Sequence, residues 1–182
     1  MAANNIANIF LLAFLFLISS VHADSDMGDN SKAIIDYAKR EVMIKSSELG
    51  VRIALCDQQR NSVAIPDIKY EELKKMGASR QQIIKALSHL STRNYATCEG
   101  GAREALAYAL GTLSTLANQY KVEIESIQGI EENLIYPTSR DIELALEFSN
   151  LKDEVKQQLL GAVGDQPFNL METLRKNRLN AD

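Results

Sequence analysis

Apolar residues recur along this sequence at steps of three, four and seven, the period of a helix with one buried face. Ile35, Ala38, Val42, Leu49, Ile53 and Cys56 share such a face, and Asn30 or Ser31 is placed to cap its start. The first helix is therefore expected from residue 31 to about Arg60. Gly50 inside it costs about 1 kcal/mol relative to Ala and invites a bend. Pro66 disfavours helix at Ile65, so residues 61–66 read as a connector. Asp67 is then placed to cap a short helix, Ile68 to Met76, with Gly77 as its left-handed terminator. Ser79 and Gln82 have capping-box spacing and open a third helix carrying Ile83, Ile84, Leu87 and Leu90.

A break or kink is expected near Ser91 to Asn94, where Ser91 or Thr92 can cap a new helix. Beyond it Tyr95, Cys98, Ala102, Ala105 and Ala109 hold one helical phase, and the helix is expected to reach Gln128. Gly101, Ala105 and Ala109 recur every four residues, so a second helix can approach closely there, while Leu106, Leu110, Leu113 and Leu116 fill the adjoining face. Gly129 ends this helix, and Ile130 to Tyr136 form an apolar turn before Pro137. Thr138 with Asp141 starts a helix to about Phe148, its stripe read as Ile142, Ala145 and Leu146. Asn150 is read as the cap of the next, with Leu151, Val155, Leu159 and Val163 on one face and Gly164 as its stop. After a turn at 165–167, a last helix carries Phe168, Met171 and Leu174. Its basic end, Arg175, Lys176 and Arg178, complements the negative helix terminus. No stretch alternates with period two, and no Asn-Gly or Asp-Gly hairpin signal occurs. The expected fold is all-α, a single-domain bundle of about six helices over residues 31–182.

One segment departs from this periodicity. Ile9 to Ile18 is an unbroken apolar run, followed by Ser19, Ser20 and Val21-His22-Ala23. The run is shorter than the roughly 20 residues of a spanning helix and ends on small residues, so residues 1–23 read as a cleavable signal peptide. No Lys or Arg precedes it, which departs from the usual pattern. Residues 24–30, DSDMGDN, read as a disordered acidic leader. Cleavage leaves 159 residues, 182 less the 23 of the leader, and no membrane segment.

Composition sharpens the picture once the leader is set aside. The whole chain is 46% hydrophobic, but the remainder falls to roughly 42%, with charged residues at roughly 28%. Twenty basic residues against 24 acidic leave a net charge of −4, which argues against nucleic-acid binding. Cys56 and Cys98 both lie in the exported part, so they are read as one intramolecular disulfide. With no Cys-x-x-Cys and one histidine after the leader, His89, neither a thioredoxin-like centre nor a zinc site is expected.

Candidate chemistry is sparse. His89 lacks any accompanying Gly-x-Ser-x-Gly nucleophile segment. Glu123, Glu125, Glu131 and Glu132 form an acidic cluster, and a raised-pKa glutamic acid is what glycan cleavage uses. The Glu125-Ser126 pair resembles lysozyme-like lytic transglycosylases only superficially, since their Gly-Leu-Met-Gln type segment is missing. Were a helix to begin at Gly100, its free N–H groups with Arg103 could hold an anion. Polar, aromatic and glycine residues concentrate around Cys98, so Arg93, Asn94, Tyr95 and Arg103 are the candidate partner contacts.

These readings point to a periplasmic or secreted, non-enzymatic protein that binds another protein, as an adaptor, inhibitor or immunity-type protein does. No cofactor, metal or nucleic acid is expected. The alternatives are a carrier enclosing a small apolar ligand in a cavity lined by Leu106, Leu110 and Leu113, and a glycan-cleaving enzyme acting through Glu125.

Overall fold

The computed structural model describes residues 28–124 and 138–179. The expected signal peptide, most of the acidic leader, the turn around residues 129–137 and the glutamates 125, 131 and 132 lie outside these residues. Six helices occur among the described residues: α1 (Asp29–Ser62), α2 (Tyr70–Lys75), α3 (Arg80–Tyr120), α4 (Ser139–Ser149), α5 (Asp153–Val163) and α6 (Leu170–Lys176). The fold is all-α, with one disulfide between Cys56 and Cys98.

Two compact units arise from this chain, one from Met1–Val51 with Gly101–Tyr136, the other from Arg52–Gly100 with Pro137–Asp182. Both long helices, α1 and α3, contribute to each. In the first unit, Ile35, Ala38, Val42 and Leu49 of α1 are buried, as are Leu106, Leu110 and Leu113 of α3. The second unit is built around Leu73, Ile83, Leu87, Leu90, Val155, Leu159 and Phe168, with further apolar side chains from α6.

Local chemistry explains most helix ends. Ser79 Oγ accepts from the Gln82 N–H at 3.2 Å, while Gln82 Oε1 accepts from the Ser79 N–H at 2.9 Å, so two free donors are satisfied reciprocally. Thr138 and Asp141 do the same for α4. Three helices close with one geometry. At α2, Ala78 donates to Leu73 at 3.1 Å and Gly77 to Lys74 at 2.9 Å; Val122 with Ala117 and Leu179 with Leu174 repeat it at α3 and α6. The residue at the left-handed position is Gly77, Lys121 and Arg178 respectively, the last two without glycine's freedom.

Several boundaries differ from the sequence expectation. α1 begins at Asp29, because the Gly28 carbonyl accepts from Ser31 at 2.9 Å, so the last two residues of the acidic leader are helical. α2 starts at Tyr70 rather than Ile68, and Asp67 does not cap it: its carboxylate instead pairs with Lys69 at 3.0 Å. α3 is one unbroken helix of 41 residues, with no break at 91–94 and no start at Gly100. Packing on both sides of this stretch, Leu90 and Leu106 being fully buried, outweighs the helix cost of Gly100 and Gly101. The same helix stops at Tyr120, eight residues before Gln128, where Lys121 turns left-handed. α4 buries Leu144, leaving Ile142 and Leu146 exposed at 52% and 60%, the opposite of the stripe read from the sequence. Asn150 closes α4 rather than opening α5. Met171 is exposed, and Phe168 is buried just ahead of α6 rather than within it.

The connector after α1 is held by α6. Asn177 accepts from the Ile68 N–H at 2.8 Å and donates to the Pro66 carbonyl at 3.0 Å, while Lys176 Nζ donates to Ile65 O at 2.8 Å. The basic end of α6 thus serves a distant backbone segment as well as its own helix terminus.

Candidate functional site

The first unit carries a groove of about 560 Å³ between α1 and α3. Its α1 wall runs from Ala33 to Lys45 and its α3 wall from Ala105 to Leu116. Alanines 33, 38, 105 and 109 form much of the lining; they end at Cβ and leave space between the two helices. Tyr37 and Tyr108, 60% and 78% exposed, stand at its sides. Polar groups are few. Lys45 Nζ donates to both oxygens of Glu48, at 2.9 and 3.1 Å. That bond, with weaker attraction from Glu48 and Glu41, raises the Lys45 pKa. Glu41, half-buried in the wall, makes no hydrogen bond or ion pair among the described residues.

The four-residue spacing of small side chains in α3 is what provides this surface. Leu106, Leu110 and Leu113, expected to line a cavity, are fully buried and do not line this groove, which lies on the neighbouring face. Tyr37, Tyr108 and Glu41 were not among the contacts expected from the sequence. Each sits one to three residues from a stripe or small-residue position, and that proximity is the signal that could have found them.

The candidate contacts around Cys98 have different surroundings. Asn94, 1% exposed, donates through Nδ2 to the carbonyls of Gly164 and Gln166 at 2.9 and 3.0 Å, and its Oδ1 accepts from the Arg93 guanidinium at 3.1 and 2.8 Å. Arg93 also reaches Asp165 at 3.4 Å. Tyr95 donates to Asp57 at 2.6 Å, and Arg60 lies over its ring, 5.6 Å from the centroid. Burial and the bond to Asp57 hold the Tyr95 phenol well above its ordinary range. Arg52 Nε donates to the Cys98 carbonyl at 2.6 Å. Arg93, Asn94 and Tyr95 are thus spent on the protein's own turns and helices. Arg103 is half-buried on α3, in the other unit, and is also engaged. Gly100 lies mid-helix, so its N–H is no anion site.

No family model matches this chain, and neither does any curated protein or solved structure. Site chemistry therefore carries the functional reading alone. Among the described residues, no three His, Cys, Asp or Glu side chains gather as a metal site, and no helix is long and apolar enough to cross a membrane. Glu123, the one described member of the acidic cluster, is exposed.

His89 packs its ring against Phe148 with centroids 4.9 Å apart. Burial lowers its pKa, Arg93 lowers it further and Asp141 opposes both. The unfolded chain therefore binds a proton more readily than the folded one. Stability is full above the ordinary histidine pKa of about 6.5 and falls as the pH drops through it. The urea midpoint is expected to decline between pH 7.5 and 5.5, and His89→Gln to flatten that slope. An unchanged slope in the variant would remove His89 as its source.

Proposed function

We propose that the protein is an exported, non-enzymatic binding protein that takes an apolar segment of another protein into the α1–α3 groove. The observation that carries this reading is the groove itself: an open, alanine-lined trough flanked by two exposed tyrosines. Tyrosine offers a large, stiff apolar surface with a polar tip, which is why it recurs as an interface anchor. A helix lying in an apolar groove is a common recognition mode that needs no catalytic group. Export is supported by the apolar run 9–18 with its small-residue end, and by a disulfide, which persists in a periplasmic or secreted setting.

The test is site-specific photocrosslinking in the native host. A benzoylphenylalanine at position 108 is expected to capture a discrete protein, and one at the exposed Gln157 is not. Tyr37→Asp, an exposed change that leaves the core intact, should abolish the capture. The volume favours a second reading, since about 560 Å³ lies within the usual range for small-molecule sites. A co-purifying apolar small molecule in native mass spectrometry, lost in Tyr37→Asp with no protein captured at position 108, would decide for the carrier.

A further inference from the structure

We infer that the groove selects an amphipathic helix of about three turns that brings one basic side chain to Glu41. This rests on the groove being a protein-binding site, and adds the shape and charge of what it binds.

Shape comes first. Ala33 to Lys45 and Ala105 to Leu116 are thirteen and twelve residues of helix, rising about 18 and 17 Å from end to end at 1.5 Å per residue. The two walls match in length, so the site is a trough, and three helical turns measure about 16 Å. The alanines in its lining let a third backbone come close, while Tyr37 and Tyr108 rise beside it to grip the apolar stripe.

Charge then narrows the occupant. Only Glu41 and Lys45 are charged among the lining residues. Both oxygens of Glu48 already hold the Lys45 ammonium. The Glu41 carboxylate has neither a hydrogen bond nor an ion pair among the described residues, and its attraction to Lys45 is the weakest acting on that ammonium, which Glu48 already holds. A helix laid along the trough shuts that carboxylate off from water. Covering a carboxylate with apolar surface is costly, and a cation placed against it offsets the loss. A Lys or Arg interrupting the stripe is therefore favoured, and a Glu or Asp there is rejected by like charge.

The probes are two fluorescein-labelled 14-residue helices with the same leucine stripe, one carrying lysine and the other glutamate beside it. Anisotropy titrations at physiological salt are expected to show the lysine peptide binding at least tenfold more tightly. Glu41→Lys should abolish or reverse that preference. Glu123→Lys makes the same charge change at an exposed position outside the groove and should leave it intact. Tyr108→Asp should weaken both peptides. A preference that survives Glu41→Lys, or that Glu123→Lys removes equally, overturns the inference, as does saturable binding of neither peptide. Should Tyr108→Asp weaken both peptides while Glu41→Lys changes nothing, the groove remains a protein site and only its charge selectivity falls. Failure of the crosslink at position 108 would instead strike the underlying reading.

Discussion

Replacing Cys56 and Cys98 together by alanine is expected to lower the unfolding free energy by about 4 kcal/mol. The two sulfurs join α1 near its end to the middle of α3, across a sequence separation of 42. In the chain-entropy account, opening that loop frees the unfolded ensemble, so most of the loss arises there. Cys56 is fully buried, and the alanine leaves a small cavity that adds to it. The expected signature in urea is a lower midpoint with a steeper slope, because the uncrosslinked unfolded chain exposes more surface. Reduction of the wild type with dithiothreitol should reproduce the variant's midpoint. A loss below about 1 kcal/mol would mean that packing between α1 and α3 already restricts the chain as much as the covalent bond does. Thiol labelling of the native protein should find neither cysteine free; labelling of both would remove the basis for placing the protein in an oxidising compartment.

How legible this was in the sequence depends on the range over which each feature is determined. Ile35, Ala38, Val42, Leu49 and Cys56 were readable as one buried face because helical phase is a local property. The Ser79–Gln82 and Thr138–Asp141 boxes were readable for the same reason. In α4 two interleaved sets both had helical spacing, and only the position of Phe148 against His89 and of Glu147 against Lys85, at 2.7 Å, decides that Leu144 faces inward. The continuity of α3 through Gly100 and Gly101 likewise depends on packing from distant segments, which no local propensity reports. Lys121 and Arg178 stop their helices from a left-handed position usually given to glycine, so the usual sign was missing. For the groove, the small-residue spacing of α3 was visible. Of its α1 wall only Ala38 was, because Tyr37 and Glu41 belong to no stripe.

Asn94→Ala is expected to cost about 3 kcal/mol, though a lone buried asparagine in a helix is easily taken for a polar flaw. Its amide saturates its hydrogen-bonding capacity: two protons go to the carbonyls of Gly164 and Gln166, and the oxygen takes two N–H groups of Arg93. Those carbonyls belong to the turn between α5 and α6. Gly164 there adopts φ +64 and ψ −157, a backbone region that side chains disfavour. The Gly164 N–H bonds back to Leu160 at 2.9 Å, and the two bonds from Asn94 add a pin from α3 that fixes where the chain goes next. Next comes Phe168, 2% exposed in the core of the second unit, followed by α6, whose Asn177 in turn holds Pro66 and Ile68. Losing the amide strands two acceptors and loosens the placement of that ring. Asn94→Asp should be nearly as damaging despite its gain toward Arg93, because a carboxylate cannot donate to either carbonyl. Arg93→Ala should cost less than Asn94→Ala, since the ion pair it removes is with the almost wholly exposed Asp165 and it leaves one buried acceptor, Asn94 Oδ1, without its donors rather than two. Urea midpoints rank the three variants, and hydrogen exchange at residues 164–168 locates the effect. If Asn94→Ala lies within 1 kcal/mol of wild type, or if faster exchange appears elsewhere and not in that turn, then the turn is held by Phe168 packing and Asn94 is only accommodated there.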